Sequence, residues 1–245
     1  MFKRALLTLA LLFALPQPAS AQGLGGSASS LSSSIFKLMK GVSGPAAPAT
    51  GGTTTGQTPA TPRPPAPVAQ PGALNFKVSP AVRRGVIDTF VGEVTAASPE
   101  SGAEWQKLFT GADVFAEIDR QMKTLFGLSS TNVADVWALY WSYAWLMTQS
   151  RTDDPTRAQV VGLRDQFRPL LLSIPAVAGL NDTQKQEMAE SLLLQTVLFG
   201  ALAEAWKDDP ASRAEFGQGL AQGTAELGLD LGLVDLTERG FTVRK

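Results

Sequence analysis

Three of the five tryptophans and both tyrosines fall between Trp137 and Trp145, and Trp137, Trp141 and Trp145 stand four residues apart. On a helix that spacing drifts slowly around one face, so the rings form a stripe. Their faces can stack on a sugar, a peptide or an apolar ligand, and Asn132 and Asp135 at the start of the same helix can orient it. The candidate ligand-binding residues are therefore Asn132, Asp135, Tyr140 and Trp141. The simpler reading makes the stripe core, Asn132 a helix cap and Asp135 a favourable first-turn charge.

Carboxylates offer the other chemistry. Glu100 with Glu104, and Glu187 with Glu190, have the spacing of paired acids that work on a glycan. They are expected in first helical turns on solvated faces, serving the helix dipole and solubility. Glu204, set between Leu202 and Trp206, is expected to pair with a nearby Lys or Arg. The 245 residues include no Cys and no His, which removes thiol nucleophiles, imidazole bases, zinc sites and disulfides. No glycine-rich phosphate loop, Gly-x-Ser-x-Gly or calcium-loop spacing occurs. No catalytic residue, no metal ligand and no cofactor is assigned.

The elements that would carry these residues follow a leader and a linker. Lys3 and Arg4, an apolar run from Ala5 to Leu15 broken only by Thr8, and Ala19-Ser20-Ala21 read as a signal peptide over 1–21. Its 11-residue apolar core is shorter than the roughly 20 residues that span a bilayer. Residues 22–75 read as a disordered Gly/Ser/Pro-rich tether, with eight of the sixteen prolines between Pro45 and Pro71. One island in it, Leu31 to Val42, has apolar residues at near-helical spacing and is a candidate docking helix for a partner or membrane surface. Residues 76–245 have the composition of a packed domain and hold 16 Lys and Arg against 22 Asp and Glu, a balance that argues against nucleic-acid binding. No later stretch reads as a transmembrane segment after cleavage, because the most apolar one, Ser191 to Trp206, is short and carries Gln195, Thr196 and Glu204.

That domain reads as all-α, a bundle of about seven helices. Ser79-Pro80, Ser98-Pro99, Asp154-Pro155 and Asp209-Pro210 each set a capping oxygen before a proline, and Asp113, Thr131 to Asp135 and Asn181-Asp182 supply three more starts. The fifth helix should bend or end near Pro169. Two helices are apolar almost all round and belong at the centre. One runs from Asn132 to Gln149 with a thin polar strip of Asp135, Ser142 and Gln149; the other runs from Thr183 to Lys207. In the seventh, Gly217, Gly219 and Gly223 suggest close backbone approach or a break, and the tail from Leu231 to Val243 suggests a small hairpin or extended segment.

The run Thr131-Asn132-Val133-Ala134-Asp135, with Tyr140-Trp141 and Trp145 downstream, a long apolar helix and a terminal Gly240-Phe241, resembles an uncharacterised family of bacterial exported proteins, a domain of unknown function. The likeness covers roughly Phe76 to Phe241 and carries no assigned activity or site residue. It implies an exported helical domain, periplasmic or secreted. The expected role is an interaction or ligand-binding module whose partner is an envelope protein, a peptide or a glycan. The alternative is a carboxylate-dependent enzyme acting on cell-wall glycan or peptide.

Limited proteolysis of the processed protein should cut first within Gln22 to Asn75 and leave a core beginning near Phe76. A first cut inside Val114 to Trp206 would overturn that boundary.

Overall fold

The computed structural model describes residues 72–226 and 229–244. The leader, the docking-helix candidate Leu31 to Val42, nearly all of the tether, and Leu227 lie outside them. Eight helices and one hairpin follow in order: α1 (Pro80–Ala97), α2 (Pro99–Gly111), α3 (Val114–Gln121), α4 (Val133–Thr148), α5 (Arg157–Ser173), α6 (Pro175–Ala178), α7 (Asp182–Ala205) and α8 (Pro210–Glu226), then β1 (Val234–Thr237) and β2 (Gly240–Val243). A π-helical turn, Met122–Phe126, prolongs α3 until Gly127 ends it with φ 70°. The protein is an all-α bundle with a short hairpin tail. Seven of the helices match the expected ones, and α6 is an added single turn.

Side-chain oxygens start most of these helices. Ser79 accepts from Val82 N, Ser98 from Ser101 N and Asp113 from Ala116 N, while Asp209 accepts from Ser212 N. The start expected at Asp154-Pro155 is displaced. Thr156 caps α5 instead, in a reciprocal pair with Gln159, and Asp154 accepts the Tyr143 hydroxyl proton at 2.8 Å. Pro169 does not end α5, which continues to Ser173.

The two helices read as central are central. α4 packs against α7, α5 and α8, and α1 packs on α7. Thirteen of the sixteen residues of α4 are buried. The polar strip expected along it is not wet throughout, because Ser142 is fully buried with its hydroxyl donated to Ala138 O at 2.7 Å. α7 is by length and composition able to cross a membrane, and 72% of its most apolar window is buried inside the bundle, as in a core helix.

The hairpin lies on α5. Leu236 pairs with Phe241 and both are buried, as is Leu231, whereas Leu233 and Val243 are exposed. α5 supplies amides to the strands: Gln159 Nε2 donates to Leu236 O at 3.1 Å, and Gln166 both donates to Phe241 O at 2.9 Å and accepts from Phe241 N at 2.8 Å. Two glycines permit close approach of backbone from another element. A Cβ on Gly162 would lie 2.0 Å from Glu238 O in the hairpin turn, and one on Gly217 would lie 2.6 Å from Met147 O at the end of α4. α8 runs unbroken through Gly219, where a Cβ would meet nothing within 4 Å.

Leu194 is 0% exposed, so Leu194→Asp should abolish cooperative folding by burying an unpaired charge, read as loss of soluble helical protein. Gly162→Ala should cost about 1–3 kcal/mol through the forced hairpin shift. Gly219→Ala should instead gain up to about 1 kcal/mol from helix propensity. Urea denaturation of the two variants side by side checks the pair.

Candidate functional site

Asn132 stands where α4 begins and works in two directions. Its Oδ1 accepts from Ala134 N at 3.0 Å and from Asp135 N at 3.2 Å, which caps the helix. Its Nδ2 donates to Asn75 Oδ1 at 2.5 Å, which ties the cap to a segment 57 residues earlier in the chain. Asp135 closes the loop before α4, accepting from Ser129 N at 2.8 Å. Burial pushes its carboxyl above the ordinary range, opposed by that amide and by the Arg164 and Arg168 charges.

Tyr140 and Trp141, the other two ligand-binding candidates, point into the bundle and are 0% and 3% exposed. Trp141 lies between Trp137, tilted at 6.4 Å between centroids, and Tyr140, edge-on at 5.2 Å, and Tyr140 reaches Phe199 of α7 at 5.7 Å. Trp137, half-buried, meets Phe167 of α5 at 6.1 Å. Trp137 Nε1, Tyr140 OH and Trp141 Nε1 are buried with no hydrogen-bond partner among the described residues. The stripe is thus core in packing, with three polar tips that packing alone does not satisfy. The four candidates share one helix but not one surface: Asn132 and Asp135 work at its start, and the two rings face inward.

What the structure adds is a seat for an extended stretch of chain. Leu74 and Phe76 are buried, Asn75 and Lys77 exposed, the alternation of a strand. Leu74 and Asn75 belong to the folded unit, although the sequence reading leaves them in the tether. Phe76 N donates to Thr131 O at 3.1 Å and Val133 N to Leu74 O at 2.9 Å, around an antiparallel bridge of Asn75 with Asn132. The first turns of α7 hold the other side. Asp182 Oδ2 accepts from Lys77 N at 3.2 Å, Lys185 Nζ donates to Asn75 O at 3.5 Å, and Gln186 accepts from Ser79 N at 2.7 Å while donating to Ser79 O at 3.0 Å.

One turn further along, Glu190 bolts α1 down. Its Oε1 accepts from Arg83 Nε at 2.9 Å, Arg83 Nη2 at 2.7 Å and Gln186 Nε2 at 3.1 Å; its Oε2 is buried without a partner among the described residues. Arg83 also lies over the Phe115 ring, 4.5 Å from its centroid. The solvated face expected for Glu190 is therefore corrected: it is 1% exposed, because α1 covers this side of α7. Burial pushes its carboxyl up, opposed by Arg83 and Gln186. Glu204 behaves as expected, pairing with Lys207 at 3.0 Å. No group of three or more acidic residues suited to a metal ion occurs among the described residues.

The seat residues Asp182, Lys185, Gln186 and Glu190 recur at helical spacing, a polar stripe visible in the sequence of α7. What that stripe faces is a tertiary fact, which is why the sequence reading passes over it.

The model of DUF6683, a family of unknown function, matches residues 1–244, and the chain belongs to that family. The match reaches beyond the 76–241 stretch that carries the resemblance. No curated protein and no solved structure matches the chain.

Trp141→Ala should cost about 3–5 kcal/mol as a cavity in the core, read by denaturation. Tyr140→Phe should leave stability unchanged or raise it, whereas Tyr143→Phe, which loses the bond to Asp154, should cost about 1.5–3 kcal/mol. A clear loss on Tyr140→Phe would reveal a partner for its hydroxyl. Glu190 holds its proton more tightly folded than unfolded, so its ionisation opposes folding. Wild-type stability relative to Glu190→Gln should then be greatest below the ordinary value of 4.5 and decline as pH rises through the raised value. Paired denaturation curves across that range check the sign.

Proposed function

We propose that this DUF6683 chain is an exported helical interaction module, periplasmic or secreted, that binds an envelope protein, a peptide or a glycan. The N-terminal residues support export, with Lys3 and Arg4, the apolar run to Leu15 and Ala19-Ser20-Ala21 in signal-peptide order. The resemblance around Thr131 to Asp135 supports a bacterial exported origin. Residues 22–75 serve as a tether and Leu31 to Val42 as an accessory docking segment in this reading.

The observation that carries it is the seat between α4 and α7. Extended chain is held there largely through its backbone, with two apolar side chains buried and an amide read by Asn132. That is the chemistry of recognising a partner segment. The carboxylate-enzyme reading draws less support: of the two acids whose carboxyls are pushed up, Glu190 is closed to solvent and engaged by Arg83 and Gln186, and Asp135 is engaged by Ser129 N.

Affinity capture from an envelope extract, with the processed full chain as bait, separates the two. A module should retain a reproducible partner and lose it on Asn132→Ala, a change that also costs roughly 1 kcal/mol of cap stability. Retained capture together with turnover of cell-wall glycan or peptide that disappears on replacing one acid would establish the enzyme instead.

A further inference from the structure

The seat is built to read a strand whose sequence matters at few positions. Of the segment from Leu74 to Ser79, the carbonyls of Leu74, Asn75 and Ser79 and the amides of Phe76, Lys77 and Ser79 all bond to α4, the loop before it, or α7. Such contacts accept almost any residue. Side-chain choice enters at three places: an apolar residue at Leu74, another at Phe76, and between them a side-chain carbonyl that meets Asn132 Nδ2.

The segment is anchored unequally along its length. At its C-terminal end Gln186 grips both backbone groups of Ser79, and Arg83 with Glu190 fixes the first turns of α1 immediately beyond. Upstream, the stretch from Leu74 to Lys77 rests on a one-residue bridge, a handful of backbone bonds and two apolar plugs. A short strand outside the helices is the kind of unit that opens locally, below the free energy of global unfolding. It can peel from Lys77 back to Leu74 while α1 stays bolted.

We propose that Leu74–Lys77 is an intramolecular stand-in for a partner strand: the seat takes, in its place, an extended peptide of pattern apolar, Asn-like, apolar. The inference rests on the reading of the domain as a binding module and names the class of partner. Because the resident strand is covalently attached, it competes at an effective concentration on the order of millimolar, so the closed form resists weak or mismatched peptides. A matching partner strand, or loosening of the resident one, opens the seat. Asn132 becomes the residue that reads the central position.

The test uses the processed full chain and a labelled synthetic peptide of residues 73–77. Phe76→Ser removes one plug of the resident strand. This variant should bind the peptide saturably and at least about tenfold more tightly than wild type, whose seat is filled. A peptide with Ser at both apolar positions should not bind, and Asn132→Ala added to Phe76→Ser should weaken binding of the unaltered peptide. A folded Phe76→Ser protein, judged by circular dichroism, that fails to bind the peptide overturns the proposal, as does equal binding of the Ser-substituted peptide. Should Phe76→Ser not fold, Leu74→Ala refolded with and without excess peptide replaces it: recovery of helical protein only with the matching peptide supports the seat, and recovery independent of peptide or absent with it overturns it. Peptide binding by the loosened chain with nothing retained from an envelope extract would keep the seat and remove the module reading.

Discussion

Water has almost no access to α4, and everything else in the fold answers to that. Its rings and aliphatic chains occupy nearly the whole cylinder, and its neighbour α7 is buried over most of its length. A helix of this kind gains little from being helical alone; its stability lies in being wrapped. α5, α7 and α8 pack directly around α4, α1 packs on α7, and the hairpin is laid over α5. With no cysteine to cross-link the chain, the apolar contact between these two helices and their wrapping carries the domain.

Charge is handled sparingly inside that frame. Glu190 is admitted because Arg83 and Gln186 converge on one of its oxygens, and Asp135 because Ser129 offers it an amide. Both carboxyls sit above their ordinary range, so both groups favour folding more when protonated. Glu117, Asp119 and Asp209, more exposed and well supplied with donors, are shifted down and act in the opposite sense. The interior acids and the surface acids thus push the pH dependence of stability in opposite directions.

The helices were legible where the deciding interaction is local. Ser79, Ser98, Asp113, Asn132, Asn181 and Asp209 each cap a helix through an amide two or three residues on, so the signal is contained in a few neighbouring residues. Where two local signals compete, spacing alone does not decide: Asp154 looks like a cap, but Tyr143 claims it across 11 residues and Thr156 takes the cap. Burial of polar residues was the harder matter. Ser142 can leave water because it bonds back to Ala138, and Glu190 because α1 happens to lie over it. Of the candidate site, the capping role of Asn132, the first-turn place of Asp135 and the core role open to Tyr140 and Trp141 were readable from spacing; the bond from Ser129 N to Asp135 was not. The strand that Asn132 holds was not, since the two lie 57 residues apart.

The amide of Gln166 has a consequence beyond positioning the hairpin. On the outward side of β2 it occupies both the N–H and the C=O of Phe241, the pair that a strand from another molecule would need first. A two-stranded ribbon ordinarily offers two raw edges to its neighbours. Here a side chain from a helix impersonates the missing strand for one residue, and Gln159 and Trp145 likewise occupy carbonyls on the outward side of β1. Growth of the ribbon into a cross-β stack would first have to evict helix side chains from well-made bonds, which makes the tail a poor seed for aggregation.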